Sequence, residues 1–434
     1  MIASRQQASH IMAAQDALAV LVKELGELNA QYTALQNSLL LAGNCKHNTL
    51  PTQEGVLALA DPCRRGLQSE DMFNSGDTGF ILCCSAIVML MSLPGISLFY
   101  SGAVKIKHVM TTFIQTMAIS SIISVLWMVC GYSLAFAPAH ATADTDTRVY
   151  GDLSRVWLVG MDVYSVHQIA PTIPETAFCM FQLSNAIIAC ALIIGGFACR
   201  TKFVSVLLFI SMWLLLVFCP LSQIHRHPRG WLFKKQVLDY AGGNVVHISA
   251  GITALIASYY IGPRSNIQER ERFESRNILL CVWGACFVLM GWFGFNMGSS
   301  YSSGHTSSRS MVVTIVGASS SAMSWIAVEW YRTGTPSILG ILCGSIAGLV
   351  SISAGVGFID HTGAFVTGLC AGVVCYLVVE KERTIRSVDD PLNTFSLNFV
   401  GGLTGGLMVG FFAKFDADNA APRGAFYGNP AQVR

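Results

Sequence analysis

Of the 434 residues, 53% are hydrophobic and 12% are charged. A water-soluble domain carries charge on about a quarter of its residues, so this composition excludes one and points to a chain that spends most of its length in lipid. The formal net charge of +2 marks no polyanion-binding surface, and nucleic acid is not expected as a partner.

Residues 1–76 stand apart from the rest. Ile11, Leu18, Leu25, Tyr32 and Leu39 recur every seven positions, with Ala14, Leu21, Leu28 and Leu35 at the offset of three. This seam predicts a short coiled coil over 11–39, a reading that Gly26 weakens, and an amphipathic helix lying on its own protein is the alternative. The apolar residues are periodic rather than continuous and follow no basic segment, so no signal peptide is expected. Cys45 and Cys63 also fall here, and a disulfide between them is left open. The other cysteines lie in or at the ends of apolar runs, where they serve as small packing residues.

Apolar runs of membrane length follow at about 78–100, 110–136, 177–199, 203–220 and 241–261, then at about 278–297, 311–328, 337–354, 363–379 and 391–413. Lipid offers no partner to backbone N–H and C=O groups, and a helix satisfies its own, so ten spanning helices are predicted. Lys and Arg favour one set of alternating loops, including Lys105, Arg200, Arg264, Arg332 and Arg383. That bias places the N-terminus outside, with the basic stretch from Arg226 to Lys235 running weakly against it.

Two of the runs share a pattern. DYAGGNVVHISAG opens on Asp239 and brings His247 eight positions later; DPLNTFSLNFVGG opens on Asp390 and brings Asn398 eight positions later. Both acids read as helix caps rather than substrate ligands. Eight helical residues carry the chain about 12 Å inward, near the middle of a hydrocarbon layer about 30 Å thick. A polar group at that depth is costly unless it pairs or lines a path for polar solute. The two runs enter from opposite faces, as an inverted repeat of spans one to five and six to ten would have them.

Around the outer ends of three spans, Phe181, Trp213 and Ser299 are placed to meet at one vestibule. Aromatic faces attract a small cation by about 0.5–2 kcal/mol, and the hydroxyl adds an acceptor; interfacial belt aromatics are the plain alternative. Phe295 lies one turn below Ser299. His225, His227 and His361 read as solvated loop or span-end residues with no metal-ligating constellation. No nucleophile and base pair or nucleotide-binding glycine pattern is present, so neither an enzyme nor a cofactor is expected.

The stretches DTGFILCCSAIVMLMSLPGISLFYSGAVKIKHV, VLWMVCGYSLAF, IPETAFCMFQ, DYAGGNVVHISAG, GWFGFNMGSS, VDDP and FYGNP resemble the ammonium transporter family (Amt/Mep/Rh), on its Amt/Mep side. The resemblance runs over about 77–430. It implies an all-α fold of inverted five-helix repeats in a homotrimer, with one pore per subunit. It also implies ammonium recruitment at Phe181, Trp213 and Ser299 and passage of ammonia or ammonium past Phe295, His247 and Asn398. Three departures stand out. Asn398 takes the place of a second pore histidine and cannot titrate; Asn185 takes the place of a pore aromatic; and the chain stops where an eleventh span is expected to begin. The organisation predicted is an extracellular region over 1–76, a ten-span transporter over 77–413 and a terminal segment over 414–434, in the plasma membrane. An ammonium sensor with an impaired pore is the alternative.

Overall fold

The computed structural model describes residues 73–137, 149–264, 277–385, 387–414 and 423–433. The chain divides into two units, Met1–Leu67 and Gln68–Arg434, and the described residues all belong to the second. The heptads of 11–39, Cys45 and Cys63 lie outside them.

Among the described residues, nine helices are long and apolar enough to cross a membrane: α1 (Ser75–Ala103), α2 (Ile106–Phe136), α3 (Glu175–Phe197), α4 (Phe203–Lys234), α5 (Gly243–Ile261), α6 (Ile278–Gly298), α7 (His305–Thr333), α9 (His361–Thr384) and α10 (Phe395–Phe412). A shorter apolar helix, α8 (Ile338–Ser353), completes the set. Odd-numbered helices start on the face that holds Asn74, the near face, and even-numbered ones on the far face. Backbone bonds tie each face together: Asn74 to Thr172 and Ala241 to Ser353 on the near side, Asn277 to Gly102 on the far side.

Polarity is turned inside out relative to a soluble protein. Met110 and Ile114 on α2 and Val204, Leu208 and Met212 on α4 are exposed, whereas Gln182, Asn185, Asn296 and Thr314 are buried. Lipid accepts the apolar surface, and the buried polar groups find partners across helices: Ser97 Oγ lies 2.6 Å from Thr116 Oγ1 between α1 and α2, and Asn296 donates to Thr314 at 2.9 Å between α6 and α7. An all-α polytopic membrane fold follows from this arrangement.

Five of the helices carry a π turn, at Met91–Gly95, Trp127–Gly131, Leu214–Phe218, Gly243–Ile248 and Phe395–Val400. Each inserts an extra residue and loosens the ladder locally. One of them corrects the reading of the fourth span. Pro220 was expected to end it, but the turn at Leu214–Phe218 accommodates the proline at the start of a further helical stretch, Cys219–Arg226. The span therefore runs on to Arg226, and Trp213 sits in its middle rather than in its outer half.

Between α2 and α3 a small hairpin pairs β1 (Val166–His167) with antiparallel β2 (Ala170–Pro174). Arg155 and Tyr132 both donate to Glu175 at the start of α3, Arg155 Nη2 at 2.9 Å and Tyr132 at 3.0 Å, and so fix this near-face cover. On the far face, Arg264 clamps Asp389 through three bonds of 2.7–2.9 Å. Where the sequence predicts the start of an eleventh span, the described residues 423–433 form two short 3₁₀ turns at Ala425–Tyr427 and Pro430–Val433. Phe426 there packs on Phe411 and Phe412 at the end of α10.

Candidate pore and vestibule

The two half-motifs meet at the centre of the molecule. Neither acid sits directly against a helix start: α5 begins at Gly243 and α10 at Phe395. Each carboxylate nevertheless reaches forward to the first turn. Asp239 Oδ2 accepts from Asn244 and Val245 N–H at 3.1 Å, and Asp390 Oδ2 accepts from Phe395 N–H at 2.7 Å. The same spacing of five residues, 239 to 244 and 390 to 395, makes the two starts equivalent. Both satisfy N–H groups that a helix end leaves without partners.

His247 and Asn398 lie in the π turns of these two helices and are buried. His247 Nδ1 and Asn398 Oδ1 are 3.1 Å apart. Asn398 Nδ2 donates to Thr394 O at 3.2 Å, which orients the amide with its oxygen toward the imidazole. Oδ1 only accepts, so Nδ1 carries the proton and Nε2 is the bare lone pair. Nε2 has no hydrogen-bond partner among the described residues. The imidazole is gripped face-on by Trp292, centroid to centroid 5.1 Å and nearly parallel at 9°, and edge-on by Phe295 at 6.0 Å. Trp292 is itself held by donating to Ser353 Oγ at 2.9 Å. On the far side of the pair a cavity of about 30 Å³ is lined by Asn398, Trp292, Thr394 and Tyr100 among others.

A larger cavity of about 730 Å³ lies on the near face, and Ser299, Tyr301, Asp239, His225 and Arg226 contribute to its wall. Ser299 Oγ donates to Phe295 O at 2.8 Å, which leaves its lone pairs as the hydroxyl's remaining polar capacity. Phe181 is fully buried beside it: a Cβ on Gly298 would fall 2.4 Å from the Phe181 ring, and Tyr301 meets that ring edge-on at 6.1 Å. Trp213 is not brought to this place. It is buried, its Nε1 donates to Thr253 Oγ1 of α5 at 2.9 Å, and its ring neighbours Phe218. Thr253 lies six residues beyond His247 toward the far face, so Trp213 joins α4 to α5 below the vestibule.

The polar partners that the sequence reading missed gather around Gln182, one residue after Phe181. Its Oε1 accepts from Asn185 Nδ2 at 3.1 Å and from Arg226 Nη1 at 2.6 Å, and its Nε2 donates to Tyr301 OH at 2.8 Å. Burial pushes the Tyr301 phenol up from its ordinary value, so it stays protonated. Two signals pointed here: a glutamine inside an apolar run, and an arginine that counts as a loop charge only if the fourth span ends at Pro220. His227 is a further correction. It is buried, not solvated, and lies edge-on to His167 at 6.4 Å. His167 stacks on Phe178 at 4.2 Å, and burial holds its pKa below the ordinary histidine value. His361 is exposed at the start of α9.

Residues 79–434 match the Ammonium Transporter Family. The chain is 34% identical over 358 residues to an ammonium transporter of Bacillus subtilis, covering 82% of this chain and 85% of that one. It is 35% identical to the ammonium transporter Amt1 of Archaeoglobus fulgidus over the same shares. The crystal structure of Candida albicans Mep2 superposes with a TM-score of 0.77 at 28% identity, over 84% of this chain and 80% of that one. The chain belongs to the ammonium transporter family.

Proposed function

We propose that this integral membrane protein conducts ammonium nitrogen along the line from the near-face vestibule, past Ser299, Phe181 and Phe295, to His247 and Asn398, and out through the far-face cavity. The observation that carries the reading is the bare Nε2 of His247, a lone-pair acceptor buried at mid-depth between two cavities. An ammonia molecule passing Phe295 finds there an acceptor for one of its N–H groups. Intact ammonium would have to be stripped of its hydration in an apolar bore, which is far costlier. Asn398 supplies the second polar partner and, as an amide, takes up no proton. Near-face exposure to the outside, the plasma membrane and a homotrimer with one pore per subunit belong to the same proposal; the Lys and Arg bias and the family resemblance support them.

The test is uptake of labelled methylammonium by cells that lack their own ammonium transport. Wild type is expected to restore uptake, and His247→Ala at matched surface amount is expected to reduce it about tenfold or more, the loss of one buried hydrogen-bonding group. Native mass spectrometry of the same purified protein should give three times the subunit mass. Saturable binding without uptake would instead favour the sensor reading.

A further inference from the structure

The near-face cavity wall contains a positive charge that forms no ion pair among the described residues. Arg226 is 7% exposed and its guanidinium reaches a single acceptor, Gln182 Oε1. Its Nε and Nη2 have no hydrogen-bond partner among the described residues. Its seat is built. Gly242 takes a left-handed φ of 94°, and a Cβ there would lie 2.9 Å from Arg226 Nη2. Gln182 is held from behind by Tyr301, which itself adopts a left-handed φ of 56° in the turn after α6. Asp239 lines the same cavity with its Oδ1 unpartnered among the described residues, but its Oδ2 is engaged by two N–H groups at the start of α5, where the helix end already supplies positive potential.

A buried guanidinium that leaves two of its nitrogens unused is a poor structural element, since a neutral amide on Gln182 would satisfy the same acceptor without the desolvation cost. Placed in the wall of the cavity that leads to Phe295, it does something an amide cannot, which is to fix the sign of the field where a solute loses its water. On the reading of this cavity as the mouth of an ammonium pathway, we propose that Arg226 is the charge-selecting residue of the pore. Its resident cation keeps ammonium from settling in the vestibule and leaves ammonia as the species that goes on to His247. Each ammonium that is carried then gives up one proton to solvent on the near side, and ammonia passes with no net charge.

The experiment compares wild type, Arg226→Ala, Arg226→Lys and Gln182→Glu as purified full-length proteins, with saturable binding of labelled methylammonium read by scintillation proximity, and the same variants in the uptake assay. Arg226→Ala is expected to bind methylammonium at least about tenfold more tightly than wild type, the scale of one like charge removed at close range in a protein interior. Added guanidinium should compete at the vacated seat. Arg226→Lys keeps the charge and should bind as weakly as wild type. Gln182→Glu retains Arg226 and neutralises it, so it should bind as tightly as Arg226→Ala even if that variant fails to fold. Equal affinity in wild type, Arg226→Ala and Gln182→Glu, or Arg226→Lys behaving like Arg226→Ala, would overturn the inference. Uptake by wild type with an affinity indifferent to position 226 sinks the charge selection alone. Tighter binding by the neutralised variants without uptake by wild type sinks the transport reading alone.

Discussion

At the scale of single residues, the proposed pathway turns on a pairing of one titratable group with one that does not titrate. His247 donates from Nδ1 to the Asn398 oxygen and keeps Nε2 free. A histidine at 398 would bring a second ring able to accept and release protons near neutrality, and the pair would acquire alternative proton placements that an amide forbids. Asn398→His is therefore expected to change the pH dependence of methylammonium uptake, and Asn398→His combined with His247→Ala is expected to lose that change, because one imidazole cannot form the pair. Superimposable pH profiles for wild type, single and double variants at equal surface amount would show that the pair does not set the rate. Trp213 teaches the opposite lesson. A fourth span ending at Pro220 puts its indole in the outer half, at the mouth; the span runs on past the proline, and the indole lies deeper, bonded to Thr253.

At the scale of elements, the ten apolar runs were legible because lipid leaves the backbone no alternative to the helix, and each run reappears as a helix. What the residues did not reveal is where a helix absorbs an irregularity. A proline reads as a stop, but the π turn at Leu214–Phe218 carries the chain past Pro220 and converts Arg226 from a loop charge into part of the vestibule wall. The equivalence of the Asp239 and Asp390 motifs was legible from spacing alone; the non-helical residues after each acid were not, because an Asp with Gly242 three positions on, or with Pro391 next to it, suits either a cap or a turn. The far-face connection between α9 and α10 gives a measurable case. Burial would raise the Asp389 pKa, but the bonds from Arg264 and the nearby Arg200 outweigh it and hold the carboxyl below its ordinary 3.8. A depressed folded-state pKa stabilises above the unfolded value and is lost as pH falls through the folded one. Asp389→Asn should therefore lower the Tm in detergent by a constant amount above about pH 5, and the gap to wild type should narrow below about pH 4. A gap that stays constant down to pH 3 would remove Asp389 from the stability of this face.

At the scale of the molecule, two halves are joined where α5 and α10 cross. A Cβ on Gly251 would lie 2.3 Å from the backbone nitrogen of Phe399, so the helices touch through their main chains, with no side chain between them to yield. His247 sits one turn from this contact and Asn398 directly beside it, each bonded to the other. A transporter that rocks must pull its halves apart at the centre in order to seal first one side and then the other, and here the centre is closed by a contact of backbone on backbone. This contact predicts a midplane aperture of fixed width, with passage governed by the side chains above it. Such a pathway has no carrier to return empty or loaded. Preloading cells with unlabelled methylammonium is accordingly expected to leave the initial influx of the labelled compound unaccelerated, whereas a several-fold acceleration would mean that the crossing opens.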